Sequence, residues 1–136
     1  MTPEQNTLVK TLTTAEEIFD YVEAHLRNQG QRSRAKTGII RGLCRYRGPE
    51  GLMCAVGCLL ADDEYDSGME YNNIYTLVSD GILPDIPCRL RPHIKMLAEL
   101  QDLHDTQQFW RPFLQGGFSQ AGEEKIRLLR SQYLTD

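Results

Sequence analysis

Residues 44–60 read CRYRGPEGLMCAVGCLL, and the turn near the centre of this stretch decides how the rest of the chain can fold. Two short arms of mixed apolar and polar residues flank the Gly-Pro-Glu-Gly sequence at 48–51. Proline presets the backbone angle at the second turn position, and the final glycine can adopt a positive φ. The pattern predicts a β-hairpin over 43–54. One face of the hairpin would carry Cys44 and Tyr46, and the other face would carry Leu43, Arg45 and Arg47.

Helical periodicity dominates the remainder of the chain. Thr14-Ala15-Glu16-Glu17 matches a capping box, and the apolar residues that follow predict a helix over 14–28 that stops at Gly30. A central helix is predicted over 89–105, and a last helix begins at Ser119. Shorter helices are predicted over 54–60, between Asn72 or Asn73 and Gly81, and from Thr106. The expected fold class is mainly α (α+β), with five to six short helices packed around one small β-hairpin.

Length and composition indicate one domain. The chain has 136 residues, of which 40% are hydrophobic and 25% charged, close to the averages for globular proteins. We expect a single domain over 1–136, with a flexible N-terminal segment at 1–13 and a basic loop at 31–42. No uncharged run approaches the roughly 20 residues of a membrane-spanning helix, and the N-terminus lacks the order of a signal peptide. These features predict a cytoplasmic protein that does not enter a membrane.

Charge is distributed in two adjacent blocks. Residues 27–47 contain seven cations and no carboxylate, whereas 48–86 contain eight carboxylates and no cation, although the net charge is only −4. Either the blocks neutralise each other within the fold, or the basic block meets an acidic partner such as nucleic acid. The candidate binding surface consists of Arg32, Arg34, Lys36, Arg41, Arg45, Tyr46 and Arg47.

The four cysteines allow three interpretations. A reducing cytoplasm disfavours disulfides, so these thiols are packing residues, metal ligands or a nucleophile. The spacing of the cysteines is unusual for a zinc site. The candidate metal ligands, an interpretation that ranks below packing, are Cys44, Cys54, Cys58 and His104. A thiol enzyme could combine Cys54 with His104 and Asp105, but no glycine-rich oxyanion loop accompanies them. Buried thiols are the preferred interpretation, with no catalytic residue and no cofactor expected.

Residues 44–60, together with Asp62-Asp63-Glu64-Tyr65-Asp66 and Leu100-Gln101-Asp102-Leu103-His104-Asp105, carry a family resemblance. The chain resembles a group of short, uncharacterised proteins encoded by bacteriophages and bacterial genomes, with a CxYRGPxGxxCAxG hairpin and a late LQxxHD motif. The resemblance covers about 14–110, and the hairpin is its specific part. It implies a phage or prophage origin and a bacterial host cytoplasm, but no particular activity.

Three functional hypotheses follow. The leading one is a small non-enzymatic phage or prophage accessory protein that binds a host macromolecule, with a host protein as its partner, as host-takeover and anti-defence inhibitors do. The second is a nucleic-acid-binding protein that uses the basic segment 27–47. The third is a small enzyme that depends on Cys and His or on zinc. The oligomeric state is left open.

Overall fold

The computed structural model describes residues 1–36, 42–79, 84–112 and 115–134. Within these ranges the chain forms five α-helices and short 3-10 segments, and it contains no β-strand. The α-helices are α1 (Pro3–Val9), α2 (Ala15–Gln29), α3 (Thr76–Ser79), α4 (Ile94–Asp105) and α5 (Gln120–Tyr133). The 3-10 segments are Pro49–Gly51, Gly57–Leu59, Ser67–Met69, Cys88–His93 and Gln107–Phe109. The mainly α expectation is confirmed.

The predicted β-hairpin is wrong. The chain does reverse at 48–51, where Gly48 N–H donates to Leu52 O at 2.7 Å, but only one isolated antiparallel bridge, between Arg47 and Met53, joins the two arms. Side chains bind the outer edges of both arms, and Tyr46 N–H, which a longer ladder would direct to Cys54 O, donates to Glu70 instead. Glu70 accepts the N–H groups of Tyr46 and Arg47, and Gln29 bonds both the N–H and the carbonyl of Met53.

The helix α2 follows its sequence signals. Thr14 caps the N-terminus, its hydroxyl accepting from Glu17 N–H while the Glu17 carboxylate accepts from Thr14 N–H. Gly30 ends the helix in the left-handed conformation at φ 69°. Both ends were predicted because caps and C-terminal glycines act on backbone groups within one turn.

The predicted central helix divides into two parts. Cys88–His93 is a 3-10 segment, and the α-helix begins only at Ile94. Pro92 accounts for the division, because its ring disfavours α conformation at Arg91 and removes a backbone donor. The helices predicted over 54–60 and from Thr106 are likewise short 3-10 segments, at Gly57–Leu59 and Gln107–Phe109.

The core lies around α4, which packs against α2 on one side and α5 on another. The unbroken buried stretch 54–61 packs against α2 through its 3-10 segment and places Cys54 and Cys58 inside the protein. The N-terminal segment, expected to be flexible, carries α1, and Val9 from this helix joins the core. None of the described helices has both the length and the apolar character required to cross a membrane. Of the predicted loop 31–42, residues 31–36 and 42 are non-helical, and 37–41 lie outside the described ranges.

Candidate functional site

Residues 43–46 form one edge of the candidate site and are fixed by neighbours on two sides. Ala35 N–H donates to Leu43 O at 2.8 Å, and Arg45 N–H donates to Ser33 O at 2.9 Å. On the opposite side, Gly57 lies so close to Tyr46 that a Cβ at position 57 would sit 2.0 Å from the Tyr46 carbonyl oxygen. Only glycine allows this approach, so residue 57 sets the depth at which the segment enters the fold.

Glu70 is a buried carboxylate that binds the same segment. Its two oxygens accept the backbone N–H groups of Tyr46 at 2.8 Å and Arg47 at 3.1 Å, and the second oxygen also accepts the Tyr65 hydroxyl at 2.7 Å. Burial, reinforced by this carboxylate, raises the pKa of Tyr65 to about 12. Arg45 lies 3.6 Å from Glu70 and balances its charge. This role of Glu70 was not identified from the sequence, where Glu70 is one of the eight carboxylates in 48–86.

Most described cations of the basic block face a carboxylate. The ion pairs are Arg27 with Glu23 and Glu123, Lys36 with Glu50, Arg45 with Glu70, and Arg47 with Asp62. Tyr46 is buried, and its hydroxyl donates to Asn72 O at 2.5 Å. Tyr46 is therefore part of the interior, and Arg45 and Arg47 are paired with carboxylates of the same chain. Arg41 lies outside the described residues, and Arg32 and Arg34 form no ion pair with a described carboxylate.

Asp105 gathers a cluster of polar side chains beside residues 43–46. His104 is fully buried, and Ser33 N–H donates to its Nε2 at 2.8 Å. Because a backbone N–H can only donate, Nε2 is an acceptor and the ring proton is on Nδ1, which donates to Asp105 Oδ1 at 2.7 Å. Gln101 donates to the same oxygen at 2.7 Å, and the Cys44 sulfur lies within 4.8 Å of an Asp105 carboxylate oxygen.

The cluster does not provide an activated thiol. Burial, together with the negative charge of Asp105, raises the pKa of Cys44 to about 12, so the thiol is protonated at neutral pH. His104 cannot serve as its base, because the ring nitrogen without a proton faces Ser33 N–H. Cys54 and Cys58 are also buried, and desolvation raises the pKa of both thiols. The sequence placed Cys54 beside His104 and Asp105, whereas the structure brings Cys44 into that group.

A metal at this cluster would disturb its hydrogen bonds. The ligand atoms of Cys44, His104 and Asp105 lie within 4.8 Å of one another. His104 could offer Nδ1 to a metal only after moving its proton to Nε2, where it would oppose the Ser33 N–H. Structural zinc also takes four ligands, and the sulfur atoms of Cys54 and Cys58 do not join the group. The residues present therefore fit a hydrogen-bonded cluster better than a metal centre.

An apolar groove opens directly above this cluster. We call it the aromatic groove; its volume is about 650 Å³, and its wall is mostly apolar. Residues 42–46, 71–75 and the outer side of α4 form its sides. Its polar lining includes Cys44, Gln101, Asp102 and Asp105. Three of the five exposed large hydrophobic side chains among the described residues, Leu43, Tyr71 and Tyr75, stand around it.

Tyr71 holds an unusual backbone conformation at the rim of the groove. Its φ is 63°, a left-handed value that costs a bulky L-residue roughly 1–2 kcal/mol. Asn72 holds the turn in this shape through two hydrogen bonds: its carbonyl accepts the Tyr46 hydroxyl, and its side-chain amide donates to Glu70 O. The ring is 45% exposed. Neither Tyr71 nor Tyr75 was singled out from the sequence, where the only available signal was their spacing of four residues around Asn-Asn.

No family model matches the chain, and no curated protein or solved structure matches it. The functional argument therefore depends on the residues and their geometry.

Proposed function

We propose that this chain is a non-enzymatic binding protein and that the aromatic groove receives a short peptide segment of a partner protein. The observation that carries the proposal is the grouping of Leu43, Tyr71 and Tyr75 around one concave, largely apolar surface. Exposed large apolar side chains are unremarkable singly, but their concentration around a cavity marks an interaction site. The volume also lies within the range of about 300–1,000 Å³ that is typical of ligand pockets.

Backbone strain at Tyr71 supports the same surface. A residue in a sparsely populated conformation persists only where its surroundings enforce it, and such residues cluster at functional sites. Here the enforcing contacts come from Tyr46 and Asn72, and their effect is to keep a large aromatic ring half in solvent. An aromatic side chain with few rotatable bonds makes an effective anchor for a partner, because little entropy is lost on binding.

The polar lining favours a peptide that carries a basic residue. Of the two arginines in the lining, Arg45 is paired with Glu70, whereas Arg32 donates to the backbone carbonyl of Asp105 at 3.0 Å and keeps its charge. Asp102, by contrast, is exposed and accepts only the Thr106 hydroxyl among the described groups, at 3.2 Å. A lysine or arginine of the partner could pair with Asp102 while lying against the Tyr75 ring, since cations are attracted to aromatic faces.

The alternatives receive less support from the geometry. A Cys-dependent enzyme needs a thiolate or a neighbouring base, and the thiols with a raised pKa and the occupied His104 ring supply neither.

The resemblance of 44–60 to phage-encoded proteins extends the proposal: the partner is a bacterial host protein that the bound chain inhibits by occlusion in the cytoplasm. All four cysteines are free, which agrees with that reducing compartment.

The test is selection of peptides from a random display library on the folded full chain, followed by affinity measurement with one labelled, enriched peptide. We expect enriched sequences to combine an apolar residue with lysine or arginine. Leu43→Ser and Tyr75→Ser should weaken binding on the order of tenfold, as for interface anchors. Leu128→Ser is the matched control, because Leu128 is an equally exposed leucine on α5 outside the groove. No enrichment, or equal losses in Leu43→Ser and Leu128→Ser, would refute the proposal.

A further inference from the structure

A second groove lies on the other side of Arg32. We call it the basic groove; it occupies about 710 Å³ between the C-terminal end of α2 and residues 106–112. Three arginines, Arg32, Arg34 and Arg111, line it, and its lining residues include no carboxylate. The protein as a whole carries a net charge of −4, so this concentration of positive charge runs against the average of the surface.

The three guanidinium groups keep their charge available. None forms an ion pair with a carboxylate in the described ranges, whereas most other cations of the basic block do. The neighbouring carboxylate of Glu123 is taken by Arg27 through two hydrogen bonds, of 2.8 and 2.6 Å. Asp105 is likewise engaged, by His104 and Gln101. Arg27 therefore neutralises Glu123, whereas Asp105 keeps its charge, because His104 and Gln101 are neutral donors, and lines the aromatic groove rather than the basic groove.

Two of the arginines are held close enough to repel each other. Desolvation lowers the pKa of Arg32, and the positive charge of Arg34 lowers it further, while the negative charge of Asp105 acts in the opposite direction. Like charges that a rigid fold keeps together are relieved by an anion, and a concave surface focuses the resulting potential.

The walls of the groove are preformed. Gly117 N–H donates to Gly30 O at 2.8 Å, and Arg111 N–H donates to Gly117 O at 2.9 Å, which joins Arg111 and Gly117 to the end of α2. The Trp110 indole donates to His104 O at 2.9 Å, and its ring stacks on Phe118 with centroids 4.5 Å apart. A rigid site loses little entropy on binding.

We propose that the basic groove binds the sugar–phosphate backbone of single-stranded nucleic acid. Arginine presents a planar fork of donors that matches phosphate oxygens. The amides of Gln31, Gln107 and Gln108 also line the groove and can donate to or accept from unpaired base edges. A single strand can enter a cavity of this volume, whereas a duplex is too wide to do so.

The experiment measures binding of the full chain to a fluorescein-labelled single-stranded oligothymidylate by fluorescence anisotropy over a range of salt concentrations. Affinity should fall as salt rises, with a logarithmic slope of about 0.7 for each phosphate contacted. Arg34→Gln and Arg111→Gln should each weaken binding several-fold and reduce that slope by about 0.7. Both side chains lie on the surface, so the variants are expected to fold, and circular dichroism checks this.

Lys95→Gln is the matched control, because it removes one exposed cation from the start of α4, about 15 Å along the helix from residues 105–106. It should leave the affinity and the slope unchanged. Absence of binding by the parent at low salt, or equal losses in Lys95→Gln and Arg34→Gln, would overturn the proposal. So would equal affinity for free thymidine monophosphate, or tighter binding of a duplex of the same length. Tyr75→Ser should retain oligonucleotide binding, which separates this groove from the aromatic groove.

Discussion

At the scale of single residues, Tyr71 and Glu50 are the non-glycine residues of the described chain with positive φ, at 63° and 61°. Glu50 belongs to the turn at 48–51, where the final glycine is also left-handed, as the sequence indicated. Tyr71 has no such local signal. Its conformation follows from contacts with a distant segment through the Tyr46 hydroxyl. The backbone strain at Tyr71 is not required by the local sequence, and we therefore associate it with binding.

Replacement of Tyr71 separates the two effects of this residue. Tyr71→Asn and Tyr71→Val both delete the ring, so both should abolish binding of a peptide selected on the parent protein. They should differ in stability, because asparagine tolerates the left-handed region and valine does not. We expect Tyr71→Asn to exceed Tyr71→Val by about 1 kcal/mol in free energy of unfolding, measured by urea denaturation. Equal stabilities would show that the backbone at residue 71 is not strained.

At the scale of elements, the residues that end or interrupt helices explain where prediction worked. Thr14, Gly30 and Ser119 fix the ends of α2 and the start of α5 through bonds to backbone groups one turn away. Pro92 interrupts the predicted helix over 89–105 for an equally local reason. The turn at 48–51 also formed. The arms beside it did not become strands, because residues 43–45 bond to 33–35 and Tyr46 N–H donates to Glu70 rather than to Cys54 O.

The contact between Gly57 and the segment 43–46 yields a test at this scale. Gly57→Ala places a Cβ against the Tyr46 carbonyl, and backbone cannot move aside as a flexible side chain can. We expect a loss of roughly 1–3 kcal/mol in free energy of unfolding, together with weaker peptide binding, since the groove edge must shift.

Gly51→Ala is the control for the Gly57 test, because Gly51 has φ 79° and open space around it. It should cost about 1–2 kcal/mol through strain alone and leave peptide affinity unchanged. A Gly57→Ala protein with the stability and affinity of the parent would contradict the proposed role of residue 57.

At the scale of the whole molecule, opposite charges organise the fold. The basic and acidic blocks meet in three ion pairs, Lys36 with Glu50, Arg45 with Glu70 and Arg47 with Asp62, so the interpretation in which they neutralise each other describes half of the described cations of the basic block. Arg32 and Arg34 form no ion pair with a described carboxylate, and with Arg111 they define the basic groove. The formation of ion pairs within the fold thus decides which arginines are available to bind a partner.

Glu70 should be the carboxylate on which this organisation depends. Glu70→Gln removes a buried charge that accepts two backbone N–H groups, and we expect a loss on the order of 2–3 kcal/mol in free energy of unfolding. Asp63→Asn is the control and should have no measurable effect, since among the described residues this exposed carboxylate of the same block pairs only with Lys10. Chemical denaturation of both variants provides the measurement. Similar stabilities for the two variants would count against a central role for Glu70.

The sequence by itself determined the mainly α character, the ends of α2, the start of α5 and the reversal at 48–51. These features depend on backbone hydrogen bonds and side-chain spacing within about one helical turn, and both are visible in the sequence. Only the tertiary structure decided that Ser33 meets His104, 71 positions away, that Cys44 reaches Asp105, and that Glu70 receives the arms of the turn. Many carboxylates and cations could pair equally well by charge. The packing of α4 against α2 and α5 fixes the distances between these charged side chains. It thereby decides which arginines form ion pairs and which line the two grooves.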